Sequence, residues 1–70
     1  MQLKLSENIK LYRKKLELTQ EELAERVSVS RQTINAIEKG RFNPSTLLAL
    51  KMSALFGVTV NELFELEPGD

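Results

Sequence analysis

The sequence contains neither cysteine nor histidine among its 70 residues. A chain without these side chains forms no disulfide, no Cys/His zinc site and no nucleophile activated by histidine. Carboxylates are plentiful, but none has an evident partner for acid–base catalysis. We therefore expect no enzyme activity, no cofactor and no metal site.

Long hydrophobic runs are also missing. No stretch approaches the roughly 18 apolar residues of a membrane span, and the first 15 residues, MQLKLSENIKLYRKK, lack the apolar centre of a signal peptide. The absence of cysteine suits a reducing compartment. We expect a cytoplasmic protein that makes no membrane contact.

The composition is that of one globular domain spanning residues 1–70. Hydrophobic residues make up 41% and charged residues 29% of the chain, and a domain this small buries only about 60% of the surface of its unfolded chain. The net charge is zero, yet residues 1–56 sum to +4 and residues 57–70 to −4. This split can serve solubility alone, or it can turn the acidic end away from an anionic partner.

Start and stop signals predict five short helices and an all-α fold. Each helix follows a candidate N-cap, and Thr19 and Thr59 also begin capping boxes; the five caps are Ser6, Thr19, Ser30, Ser45 and Thr59. The predicted helices end near residues 17, 27, 39, 56 and 64. Gly40 follows the third helix as its expected left-handed residue, and Gly57 ends the fourth.

Helical periodicity selects the residues expected to face the core. They are Ile9, Tyr12 and Leu16 in the first helix, Leu23, Ala24 and Val27 in the second, Ile34 and Ile37 in the third, and Ala49, Leu50, Ser53 and Phe56 in the fourth.

The two ends of the chain alternate between apolar and polar residues. Leu3 and Leu5 do so near the start, Phe64 and Leu66 near the end. This period of two is typical of a half-buried strand. The ends could pair as a small two-stranded ribbon, or they could be irregular.

Residues 19–40 have the length and pattern of a helix-turn-helix. Ile34 and Ile37 point inward, so the outer side of the third helix carries Arg31, Gln32, Asn35 and Ala36. Arg can bind guanine O6 and N7, Gln or Asn can bind adenine, and a methyl group can contact thymine. The same face could be an ordinary solvated surface.

The residues of this segment resemble the Cro/C1-type (XRE) family of helix-turn-helix regulators. The matching stretches are TQEELA (19–24), VSRQTI (29–34), IEKG (37–40), NPS (43–45) and FGVTVNELF (56–64). The resemblance is strongest to short stand-alone regulators of the cytolysin-repressor type. It implies a compact five-helix domain that places its third helix in the DNA major groove.

The resemblance also implies a set of phosphate-contacting residues around the third helix. Gln20 begins the second helix, where free N–H groups favour anions; Lys10 and Lys39 could add charge or merely solubility. The full predicted set is Gln20, Ser30, Thr33, Lys39, Arg41, Phe42, Asn43 and Ser45.

Four further positions acquire a structural role from the resemblance. Arg13 and Glu38 match a pair that joins the first helix to the end of the recognition helix. Glu17 and Ser28 stand where glycine is common in the family, and both are expected to adopt a left-handed backbone at some cost.

The expected function is transcription regulation, as a repressor that binds a palindromic operator as a homodimer. One recognition helix reads few base pairs, and two-fold symmetry remedies this. Apolar residues near the C-terminus are the expected dimer interface, joined by Leu55: Val58, Val60, Leu63, Phe64 and Leu66. Seventy residues leave no room for a typical ligand pocket. The alternative is a protein-interaction or antitoxin-like module that retains the fold.

Overall fold

Residues 5–64 are described by the computed structural model, and they form five helices. These are α1 (Leu5–Lys15), α2 (Gln20–Val27), α3 (Arg31–Glu38), α4 (Thr46–Phe56) and α5 (Val60–Leu63). No strand occurs within 5–64, and none of these helices has the length and apolar character needed to cross a membrane. The predicted all-α class is confirmed.

Four of the five predicted N-caps are confirmed. Each cap hydroxyl accepts a hydrogen bond from the backbone N–H three residues later, which satisfies one of the free donors at a helix start. Thr19 and Thr59 form complete capping boxes, in which the cap N–H donates in return to the glutamate side chain. The two serine caps are Ser30 and Ser45.

The predicted cap at Ser6 is wrong. Ser6 lies inside α1, which already includes Leu5 and ends at Lys15, two residues earlier than predicted. Glu17 ends the helical path, because its φ of +57° is left-handed.

Left-handed residues follow the first four helices. Glu17 and Ser28 have φ values of +57° and +61°, as the family resemblance implied, and Gly40 and Gly57 have +73° and +71°. After α2, Ser28 N–H donates to Glu25 and the next N–H to Ala24. This pair of bonds satisfies the last carbonyls of the helix.

The core is a single apolar cluster to which all five helices contribute. Its most completely buried side chains are Ile9, Leu23, Val27, Ile34, Ile37, Met52 and Leu63. Outside it, the rings of Tyr12 and Phe56 pack with centroids 5.6 Å apart.

The predicted inward face of α4 is partly wrong. Leu50 is 51% exposed, whereas Leu48 and Met52, which the periodicity did not select, are buried with Ala49 and Ser53. The sequence TLLALKMSALF is apolar on nearly every side, so periodicity alone does not identify the buried face.

The two-stranded ribbon, one of the two alternatives for the chain ends, is not formed by their described residues. Leu5 is helical and Phe64 directly follows α5, while Leu3 and Leu66 lie outside the described residues. Asn8 joins α1 to the end of α5. Its Nδ2 donates to the carbonyl oxygens of Glu62 and Leu63 at 3.1 and 3.2 Å.

Candidate nucleic-acid interface

Helix α3 presents a polar face to solvent and an apolar face to the core. Ile34 and Ile37 are buried, because residues three apart share one side of a helix. Arg31 and Gln32 are exposed on the other side, and Ala36 is half-buried. These three predicted base-reading residues therefore share the accessible side of α3.

The exposed charge of α3 and of the loop after it is of one sign. Glu38 is the only acidic residue among residues 28–61, and its side chain is only 5% exposed. Arg31, Lys39 and Arg41 are all exposed. The accessible part of α3 and of the loop after it therefore carries positive charge alone, although the chain as a whole is neutral.

Arg13 neutralises the one carboxylate. Its Nε donates to Glu38 Oε2 at 2.7 Å and its Nη2 to Oε1 at 3.1 Å, a two-point contact that fits the guanidinium plane. Its Nη1 donates to the carbonyl oxygen of Leu18 at 2.8 Å. The pair joins α1 to the end of α3, as the family resemblance implied, and Arg13 also binds the residue before the cap of α2.

Two amide side chains extend this pair across the surface. Gln20 Nε2 donates to Glu38 Oε1 at 3.2 Å, and Asn35 Nδ2 donates to Gln20 Oε1 at 3.2 Å. Asn35, predicted to read bases, is half-buried with one amide proton already engaged. Gln20, which is predicted to contact phosphate, makes hydrogen bonds to both Glu38 and Asn35.

The other predicted phosphate contacts lie at helix starts and in the loop before α4. Ser30 and Ser45 are N-caps, and the hydroxyls of Ser30 and Thr33 share a hydrogen bond of 3.0 Å. The loop side chains of Arg41, Phe42 and Asn43 are exposed, and so is Lys39.

The link from Gln20 to Asn35 and Glu38 is not predicted by the sequence. The residues are 15 and 18 positions apart, and amide hydrogen bonds between different helices follow no spacing rule. The only signal in the sequence is that a polar residue follows the cap of α2 and others lie on α3.

The predicted dimer interface requires one correction. Leu63 is 0% exposed and belongs to the core, so it cannot contact a second chain. Val58, Val60, Leu55 and Phe64 are half-buried, and Leu66 lies outside the described residues. Two of these residues line an apolar groove of about 220 Å³ between α4 and α5, formed by Pro44, Thr46, Ala49, Leu50, Val60 and Phe64.

Comparison with known proteins agrees with this architecture. The family model described as helix-turn-helix matches residues 9–63. An HTH-type transcriptional regulator of Methanocaldococcus jannaschii is 48% identical over 60 residues, which are 86% of this chain and 91% of the relative.

Two solved structures extend the comparison. The P22 c2 repressor protein in complex with a synthetic operator superposes with a TM-score of 0.83 at 30% identity, covering 100% of both chains. The restriction-modification controller protein C.AhdI of Aeromonas hydrophila superposes with a TM-score of 0.79 at 28% identity, covering 87% of this chain and 92% of that one. Together, these matches show that the chain belongs to the XRE-type helix-turn-helix family of Cro/C1-like transcription regulators.

Proposed function

We propose that this protein is a sequence-specific, double-stranded DNA-binding repressor that acts in the cytoplasm. One observation carries the proposal: the charge on the accessible side of α3 and of the loop after it is exclusively positive. The single carboxylate of residues 28–61 is withdrawn into an ion pair. Such a face suits the negatively charged major groove.

Base reading is assigned to residues on the accessible side of α3. Arg31 and Gln32 lie in its first turn, the part of a recognition helix that contacts base edges. Arg31 is suited to guanine O6 and N7, and Gln32 to adenine N6 and N7. Ala36 lies one turn further along, where its methyl group can meet a thymine methyl.

Phosphate contact is assigned to the positions around α3. Lys39 and Arg41 supply exposed charge, and the loop and the start of α4 add polar groups. Such contacts orient the protein but carry no sequence information. The assigned residues are Gln20, Ser30, Thr33, Lys39, Arg41, Phe42, Asn43 and Ser45.

Selection of duplexes from a random-sequence pool, followed by binding at two salt concentrations, tests the proposal. We expect an enriched site with two-fold symmetry and an affinity that falls steeply with salt, because binding releases counterions from DNA. Failure to enrich any sequence, with no salt-dependent affinity for duplex DNA, would favour the protein-interaction or antitoxin-like alternative.

The repressor is proposed to act as a homodimer. The groove between α4 and α5 includes Val60, Phe64 and the exposed Leu50, and Leu47, three residues before Leu50, is 63% exposed. A second copy would cover this apolar surface. It would leave both copies of α3 free to enter successive major grooves about 34–36 Å apart.

Sedimentation of two matched variants tests the interface. Leu50 and Leu11 are equally exposed, at 51% and 50%, but only Leu50 lines the groove. We expect Leu50→Glu to shift the protein to monomer at tens of micromolar, while Leu11→Glu leaves the dimer intact. A wild-type monomer, or equal effects of the two variants, would refute this interface.

A further inference from the structure

Four side chains form a continuous chain of hydrogen bonds from α1 to the accessible edge of α3. Arg13 donates to Glu38, Gln20 donates to Glu38 at 3.2 Å, and Asn35 donates to Gln20 at 3.2 Å. Its inner end is buried, since Arg13 is 12% and Glu38 5% exposed. Its outer end, Asn35, is half-buried beside the exposed Arg31 and Gln32.

The chemistry of Glu38 sets the direction of the whole chain. An ionised carboxylate only accepts hydrogen bonds, whereas the amide of Gln or Asn has one donating end and one accepting end. Gln20 must therefore turn its NH₂ group to Glu38 and its carbonyl oxygen to Asn35. Asn35 in turn must direct its NH₂ group to Gln20, which leaves its Oδ1 pointing away from Gln20.

We propose that Glu38, acting through Gln20, fixes the amide of Asn35 so that its oxygen selects a base with an exocyclic amine. The inference rests on the proposed DNA binding. In the major groove, adenine N6 and cytosine N4 are the donors that an oxygen can accept from, whereas phosphates offer only acceptors. Asn35 is then a base-reading residue, and Glu38 and Gln20 are positioning residues that need not touch DNA bases.

A mutant cycle tests the direction of the chain without DNA. Asn35→Asp places an acceptor against the carbonyl oxygen of Gln20, and we expect a lower melting temperature. In the Glu38→Gln background the whole chain can reverse, because the new amide at position 38 can donate to Gln20, and Gln20 can then donate to the new carboxylate at position 35. In that background Asn35→Asp should lower the melting temperature by roughly 4–8 °C less than it does in wild type. This is the shift expected when one hydrogen bond is regained in a domain of this size.

Two controls separate this coupling from charge repulsion between positions 35 and 38. Repeating the cycle with Gln20→Ala removes the intermediate amide, so any coupling that remains is electrostatic. Asn43→Asp introduces the same charge at an exposed loop position and should show no coupling to Glu38→Gln. A coupling unchanged by Gln20→Ala would overturn the proposed chain.

The orientation of the two amides can also be measured in the wild-type protein, so this test does not depend on whether a Glu38 variant folds. Nuclear Overhauser contacts should place the Nε2 protons of Gln20 near the Glu38 side chain, and the Nδ2 protons of Asn35 near Gln20. Gln20 Nε2 protons that instead lie near Asn35 would show the opposite direction and refute the inference.

Duplex selection with wild type, Asn35→Ala, Glu38→Gln and Gln20→Ala tests the consequence for DNA. We expect wild type to prefer adenine or cytosine at one position of each half-site by about 3- to 10-fold, the range of a single hydrogen bond. All three variants should lose this preference while retaining the one read by Gln32. Failure of wild type to enrich any site contradicts the proposed function. A site whose preferences survive Asn35→Ala, or survive both Glu38→Gln and Gln20→Ala, contradicts this inference alone.

Discussion

The guanidinium of Arg13 lies against the carboxylate of Glu38, with Nε 2.7 Å from Oε2 and Nη2 3.1 Å from Oε1. Both side chains are largely buried, at 12% and 5% exposure. The ion pair joins the first helix to the end of the third, and it removes the only carboxylate of residues 28–61 from the proposed DNA-facing surface.

Breaking this pair from one side should be costly. Glu38→Ala leaves a largely buried guanidinium without its partner, and we expect a loss of about 3–5 kcal/mol in the free energy of unfolding. Replacing both residues by apolar ones, Arg13→Met with Glu38→Leu, should cost clearly less. Urea unfolding measures the stability of the single and the double variant, with Lys14→Ala at an exposed position as the control. A Glu38→Ala variant as stable as this control would contradict the structural role of the pair.

Glycine at the left-handed turn should stabilise the domain. Ser28 has φ of +61°, a conformation in which the β-carbon costs roughly 1 kcal/mol. Ser28→Gly should therefore raise the melting temperature by a few degrees, even after the greater unfolded-state entropy of glycine is counted. Glu17→Gly should act in the same direction.

The matched control for this substitution is Ala54→Gly on the exposed side of α4. It has an ordinary helical backbone, so it should lower stability by about 1 kcal/mol. Calorimetry that showed Ser28→Gly melting below wild type would mean that the serine side chain stabilises the turn by some other contact.

The capping box of α2 should make stability dependent on pH. The backbone N–H of Thr19, followed by its hydroxyl, lowers the pKa of Glu22 below its ordinary value of 4.5, because both bonds favour the charged carboxylate. Since the folded-state pKa is the lower one, the stabilisation is complete above about pH 4.5 and is lost as the pH falls through the folded-state pKa.

Carbon-detected NMR titration of the Glu22 carboxyl measures this pKa directly. In Thr19→Val we expect the pKa of Glu22 to rise only part of the way towards 4.5, because the backbone N–H of residue 19 still donates to the Glu22 carboxylate. Glu22→Gln keeps a capping side chain that does not titrate, so the stability of this variant should fall less at acid pH than that of wild type. A pKa of Glu22 at or above 4.5 would contradict the capping box.

Asn8 should contribute to stability through its two hydrogen bonds. Its Nδ2 supplies both hydrogen bonds that tie α1 to the end of α5. Asn8→Ala leaves two carbonyl oxygens without this donor, and we expect a loss of about 1–3 kcal/mol. Chemical denaturation should show almost no loss for Asn61→Ala, whose side chain is exposed; equal values for the two would refute the assignment.

Local sequence signals predicted most of the fold. Four N-caps, the left-handed Gly40 and the helix end at Gly57 lie as predicted, since each depends on residues within one turn of the chain. The left-handed Glu17 and Ser28 were expected from the family resemblance instead. The errors have different physical causes. The buried side of α4 could not be chosen because apolar residues surround that helix, and the helical state of Leu5 shows that alternation over a few residues does not establish a strand.

The sequence was less informative about contacts between distant residues. Arg13 and Glu38 could be paired only through the family resemblance, and the roles of Asn8 and Gln20 as links between helices were not predicted. Leu63 appeared available for a partner because apolarity does not distinguish a core residue from an interface residue. Its complete burial is a property of the packed helices.

The central claim is that α3 contacts the base edges of DNA, while the loop after it contacts the DNA phosphates. It is tested most directly by comparing Gln32→Ala and Arg41→Ala on the selected operator and on random duplex, with Lys51→Ala on α4 as a control. We expect Gln32→Ala to cost about 1–3 kcal/mol per half-site on the operator and little on random DNA. Arg41→Ala should weaken both duplexes similarly and reduce the log–log salt slope by about one for each phosphate that the arginine neutralises. If Gln32→Ala binds operator and random duplex with the same preference as wild type, α3 does not read DNA through this face.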